Sequence, residues 1–161
     1  MSIRSSSIQG KVYKYFHKEN VWIKTNLTGR SFDKDFLTIA TDGTIHINGN
    51  KGNGYAWDGC SPKAIRFDFI WGTPDGILDF RTEKPITYFA SMIHDALYQY
   101  KHEAPLSRKE ADLIFRSILR ESGFRWWRIY GLGVRIGGMF YGSWMRENTQ
   151  STIRIEKSSW L

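Results

Sequence analysis

The chain has 161 residues, including seven Trp, eight Tyr and ten Phe, and a formal net charge of +7. That aromatic and apolar content can offset the conformational entropy of one ordered domain, which excludes a disordered chain. Cys60 is the single cysteine, which excludes an internal disulfide framework and a Cys-rich zinc module and suits a reducing compartment.

The start of the chain has no apolar run after its charge, so no secretory leader is expected. Residues 8–80 are expected to be β-rich. Val12 to Phe16 and Val21 to Lys24 are short β-branched and aromatic runs. Phe36 to Ala40 and Thr44 to Ile47 flank Asp42-Gly43, which predicts a hairpin closed by a tight turn. A glycine-rich loop, 48–54, leads into Trp57-Asp58-Gly59-Cys60-Ser61-Pro62, and a further turn is expected at 72–76.

From Pro85 the apolar period becomes helical, with Phe89, Met92, Ile93, Ala96 and Leu97 on one face. Pro85 suits the first turn of this helix, which should end near Tyr100. Ser107 with Glu110 three residues on predicts a capping box, and Gly123 predicts the end of the second helix. A third helical stretch is expected over about 125–146, where Gly133/Gly137 and Gly138/Gly142 would let another backbone approach closely. Arg128 and Arg135 interrupt this stretch, so no membrane span is expected. Trp126-Trp127 with Arg125 and Arg128 is compatible with a membrane interface or nucleic acid, but is read first as a core helix with solvated arginines. The whole is read as one α+β domain: a β-rich part (8–80) packed on a helical hairpin plus a third helix (85–146), with a polar tail at 147–161.

Chemistry concentrates in the predicted hairpin. His94 and Asp95 are neighbours in an otherwise apolar helix, yet they point about 100° apart, so Asp95 does not orient His94. Asp112 of the next helix lies at the same height, since His94 and Asp112 are each roughly 8–9 Å from the connection at 1.5 Å rise per residue. An antiparallel pair therefore brings Asp112 to His94, with Tyr98 one turn away. A carboxylate on one imidazole nitrogen fixes the tautomer and leaves the other nitrogen as a base for water. The same pairing also serves as a structural staple, and both readings stand. Asp58 and Asp95 are candidate oxygen ligands for Ca²⁺ or Mg²⁺, against an Asx-turn at Asp58. Cys60 is read as a small turn residue rather than a nucleophile.

His94-Asp95-x-x-Tyr98 resembles the core of secretory, calcium-dependent phospholipases. That resemblance implies His94 as general base, Asp95 at calcium, Tyr98 in support and Asp112 as orienter. The cysteines and the glycine-rich calcium loop of those enzymes have no clear counterpart here. Trp57-Asp58-Gly59-Cys60-Ser61-Pro62, Ile93-His94-Asp95-Ala96-Leu97-Tyr98 and Arg108-Lys109-Glu110-Ala111-Asp112 together resemble an uncharacterised domain-of-unknown-function family common in tailed-phage and prophage genomes. This implies a phage protein acting in the cytoplasm of the infected host cell or associated with the virion. The expected function is a small hydrolase using a His–Asp dyad on an ester, with lipid as one class. The alternative is a non-enzymatic phage protein that binds a host factor or virion component. The basic balance suits an anionic lipid, an acidic host protein or a virion component as partner, and nucleic acid less well.

Overall fold

The computed structural model describes residues 7–8, 11–12, 15–57, 77–138, 144 and 150–160. Nine strands precede, flank and follow three helices within them. They are β1 (Ser7–Ile8), β2 (Lys11–Val12), β3 (Tyr15–His17), β4 (Asn20–Thr25), β5 (Phe32–Lys34), β6 (Leu37–Ile39), β7 (Thr44–Asn48), β8 (Tyr55–Trp57) and β9 (Ile155–Ser158). The helices are α1 (Tyr88–Gln99), α2 (Arg108–Glu121) and α3 (Trp127–Gly138). The expected α+β class holds, with antiparallel sheets before the helices.

The main sheet has the order β5-β6-β7-β4-β9, all antiparallel, and β3 pairs with β8 in a separate ribbon. Strand alternation sets its two faces. Val21 and Ile23 of β4, Leu37 and Ile39 of β6, and Ile45 and Ile47 of β7 are buried, while Trp22, Lys24 and His46 between them are half-exposed. The buried face joins Met92, Ile93, Leu97, Ile114, Phe115 and Ile118 of α1 and α2 in one core.

The predicted hairpin at Asp42-Gly43 forms, but with a three-residue loop. Ala40 and Thr44 close it, and Gly43 alone takes a positive φ of 89°. A Cβ on Gly43 would lie 2.3 Å from the Thr25 carbonyl oxygen, so close backbone approach requires glycine there.

Helix α1 begins later than Pro85 suggested. Pro85 instead bridges Leu78, and the Ile86 N–H donates to the Ile77 carbonyl, so the chain is still in a turn until Thr87. The capping box of α2 is present: the Ser107 hydroxyl accepts from the Glu110 N–H, and Glu110 accepts from the Ser107 N–H. Gly123 ends α2 as expected, at φ 75°, with Gly123 N–H on the Arg120 carbonyl and Phe124 N–H on that of Leu119.

Within the stretch read as a polar tail, β9 adds to β4, Ile153 is buried, and Trp160 stacks on Phe89 at 4.3 Å. No atom of the described residues lies within 4 Å of a Cβ built on Gly133, whereas one on Gly131 would lie 3.1 Å from the Arg116 stem. Trp144 is not helical, against the stretch expected to about 146, and 139–143 lie outside the described residues. Asp58, Cys60 and the turn at 72–76 also lie outside them. Among the described residues no helix is long and apolar enough to cross a membrane.

Candidate functional site

The short connection between α1 and α2 makes the two helices antiparallel neighbours, and their local signals set the register. Ser107 fixes where α2 begins, so Asp112 comes level with His94. His94 Nε2 lies 3.1 Å from Asp112 Oδ1, and the Tyr98 hydroxyl donates to the same oxygen at 2.7 Å. His94 and Asp112 are each 5% exposed. The imidazole sits between the rings of Tyr98, at 4.2 Å, and Phe115, at 5.1 Å.

With Asp112 accepting from Nε2–H, the basic lone pair of the ring belongs to Nδ1. Asp112 Oδ2 is buried and has no partner among the described residues. Trp144 packs edge-on against Tyr98 at 4.8 Å, and its Nε1–H is likewise buried without a partner. Among the described residues one acceptor and one donor near Tyr98 thus lack a partner. No local pattern singles out Trp144, which follows α3 in the chain.

Asp95 lies on α1 and is half-buried, with a contact of its own. Trp57 at the end of β8 donates its Nε1–H to the Ser91 hydroxyl at 3.0 Å. Ser91 and Asp95 are i,i+4 neighbours, so β8 is delivered to the helix face that Asp95 shares. Asp58 itself lies outside the described residues. Among the described residues no group of three His, Cys, Asp or Glu is placed to hold a metal. Asp95 alone does not make a site for a hard cation that takes six to eight oxygens.

Two further buried polar clusters join residues far apart in the chain. Arg30 makes a bidentate pair with Glu110, at 2.7 and 2.8 Å, and Glu110 also accepts from the Gln150 N–H at 3.0 Å. Burial raises the Glu110 pKa, but Arg30 and the Gln150 and Ser107 N–H groups outweigh burial and hold the carboxyl below its ordinary value. At the other end of α1, His17 Nδ1 lies 3.1 Å from the Tyr88 hydroxyl and 3.5 Å from Lys84 Nζ. Burial, reinforced by the Lys84 charge and opposed by Glu19, pulls His17 down to about 4. Burial also lowers the Lys84 pKa, and its ammonium lies over the rings of Tyr88 and Phe89. The pairing of Tyr88 with His17 spans 71 residues of chain, beyond the reach of any local pattern.

A family model described as a protein of unknown function (DUF1353) matches residues 74–130. Over that segment the chain is similar to an uncharacterised family. The match spans both helices of the hairpin and includes His94, Asp95, Tyr98 and Asp112; the Trp57-Asp58-Gly59 loop precedes it. No curated protein and no solved structure matches the chain significantly.

Proposed function

We propose that the chain is a small hydrolase in which His94 activates water against an ester, with lipid esters as the leading class. The 3.1 Å contact between His94 Nε2 and Asp112 Oδ1 carries this reading. Asp112 holds the Nε2–H tautomer, Tyr98 holds Asp112, and Nδ1 removes a proton from water as the oxygen attacks the ester carbonyl. The imidazolium then returns that proton to the departing alkoxide, giving acid and alcohol. The resemblance to secretory phospholipases supports the lipid class and assigns the same roles to His94, Asp112 and Tyr98. The resemblance to phage proteins supports action in the infected cell or from the virion. Ca²⁺ or Mg²⁺ at Asp95 and Asp58 belongs to the same proposal, but no step here runs through it.

The test uses p-nitrophenyl butyrate and phospholipid vesicles as substrates. His94→Gln should lower turnover by about 10²–10⁴-fold, the usual contribution of a positioned base, with the circular dichroism spectrum unchanged. Wild-type turnover matched by His94→Gln would sink the hydrolase.

A second reading is favoured by the 5% exposure of both His94 and Asp112. Here the pair is a staple across the hairpin of a protein that binds a host or virion component. It predicts that His94→Gln lowers the melting temperature while no ester is turned over.

A further inference from the structure

Helix α3 carries an apolar strip on its solvent side. Trp126 is 40% exposed, Ile129 50% and Leu132 58%. Trp126 belongs to the same turn, since its carbonyl accepts from the Ile129 and Tyr130 N–H groups. Residues three apart fall on one helix face, so these side chains form a continuous line. The opposite side is committed to the fold: Gly131 lies against Arg116, Tyr130 packs on Phe124 at 5.1 Å, and Trp127 takes the Arg116 guanidinium over its ring.

Arg125, Arg128 and Arg135 are exposed beside the strip. Arg128 and Arg135 are one heptad apart and so share one edge, drifting by only about 20°. The segment from Arg125 to Gly138 contains no Asp or Glu. An apolar strip edged by cations, on a helix too short and too charged to span, is the pattern of a helix lying in a membrane interface.

We propose that α3 docks this protein on an anionic lipid surface, with Trp126, Ile129 and Leu132 entering the headgroup region and Arg125, Arg128 and Arg135 meeting lipid phosphates. Charge complementarity selects this occupant. A second copy of the chain would bring two arginine edges together across a twofold interface. A nucleic acid strand stacks bases on successive aromatic rings, whereas Ile129 and Leu132 offer none. The docking does not depend on the hydrolase reading, because α3 is separate in sequence from His94 and Asp112 and their hydrogen bonds and ring contacts among the described residues come from α1 and α2.

Co-sedimentation of the full chain with vesicles tests the proposal. Phosphatidylcholine vesicles containing phosphatidylglycerol should retain the protein, and pure phosphatidylcholine vesicles should retain far less. The Ile129→Ser/Leu132→Ser double variant should bind roughly tenfold more weakly or worse. Its melting temperature should stay that of the wild type, since both side chains are half-exposed or more. Arg128→Gln/Arg135→Gln should weaken binding at low salt and erase the preference for phosphatidylglycerol. His94→Gln should bind vesicles like the wild type, which separates this proposal from the fate of the hydrolase. Equal retention on both vesicle types, binding untouched by the double variant, a change of oligomeric state in that variant by sedimentation velocity, or a gel shift with DNA in place of vesicle binding would each overturn it.

Discussion

Glu110 and Asp112 are two carboxylates on one helix, two residues apart and both buried, yet they are treated in opposite ways. Their side chains point about 200° apart, so Glu110 faces the sheet and Asp112 faces α1. Each oxygen of Glu110 accepts two hydrogen bonds: Oε1 from Arg30 and Gln150, Oε2 from Arg30 and Ser107. Asp112 concentrates both of its bonds on Oδ1, from His94 and Tyr98, and leaves Oδ2 bare among the described residues. A buried polar atom without a partner costs free energy, so folding alone gives no reason to keep one. Saturation marks Glu110 as structural. Incompleteness next to an imidazole is what the proposed hydrolase would put to use at Asp112.

The largest expected effect is therefore on the structural side. Glu110→Ala leaves the Arg30 guanidinium buried and unpaired, frees the Gln150 and Ser107 N–H groups, and removes half of the capping box. Breaking a buried pair in this way costs about 3–5 kcal/mol, and denaturant unfolding should read a loss of that size. A loss under about 1 kcal/mol would mean that Arg30 relaxes to solvent, and the saturation argument would fail with it.

Asp112→Asn probes the other carboxylate. The substitution keeps shape, and with the amide nitrogen in the Oδ1 position the Tyr98 hydroxyl turns from donor to acceptor, so stability should change by no more than about 1–2 kcal/mol. The same amide N–H facing His94 makes Nε2 the acceptor and moves the proton to Nδ1, the nitrogen that the proposed hydrolase uses as base. Turnover should then fall by roughly 10³-fold or more while the melting temperature moves little. A large melting shift with turnover unchanged would reverse the comparison and make Asp112 the staple.

These two carboxylates also show what the sequence could reveal. The register of His94 against Asp112 follows from helix rise and a short connection whose ends, Ser107 and Tyr100, are marked locally. The capping role of Glu110 was legible for the same reason: its partner is three residues away. Its pairing with Arg30 was not, because 80 residues of chain separate them and only the packed fold brings them together. The same limit hid β9. Ile155 to Ser158 carries the charges of a solvated edge, and its partner strand lies near the start of the chain. Pro85 misled because its fixed φ suits a turn as well as a first helical turn, and the bridge to Leu78 decided between them.

His17 sharpens the comparison by offering a third incomplete group. Its Nε2 is buried without a partner among the described residues, like Asp112 Oδ2, but its neighbours are the Lys84 ammonium, the Tyr88 hydroxyl and the more distant Glu19 charge. A cation beside an imidazole suppresses its protonation and gives it no orienting carboxylate, so incompleteness here is a cost of packing rather than a mark of chemistry. The cost is readable through pH. The folded pKa is depressed to about 4 from an unfolded value of 6.5, so the unfolded chain binds the proton first as pH falls. Stability is therefore whole above about pH 6.5, declines between 6.5 and 4, and levels off below. The decline should amount to something on the order of 2 kcal/mol. His17→Leu removes the titrating group, so its urea midpoint should flatten across that window, with turnover at neutral pH unchanged. A variant that keeps the wild-type slope would place the titration elsewhere. A variant that keeps its fold but loses turnover would show that a bare buried nitrogen marks chemistry even without a carboxylate beside it.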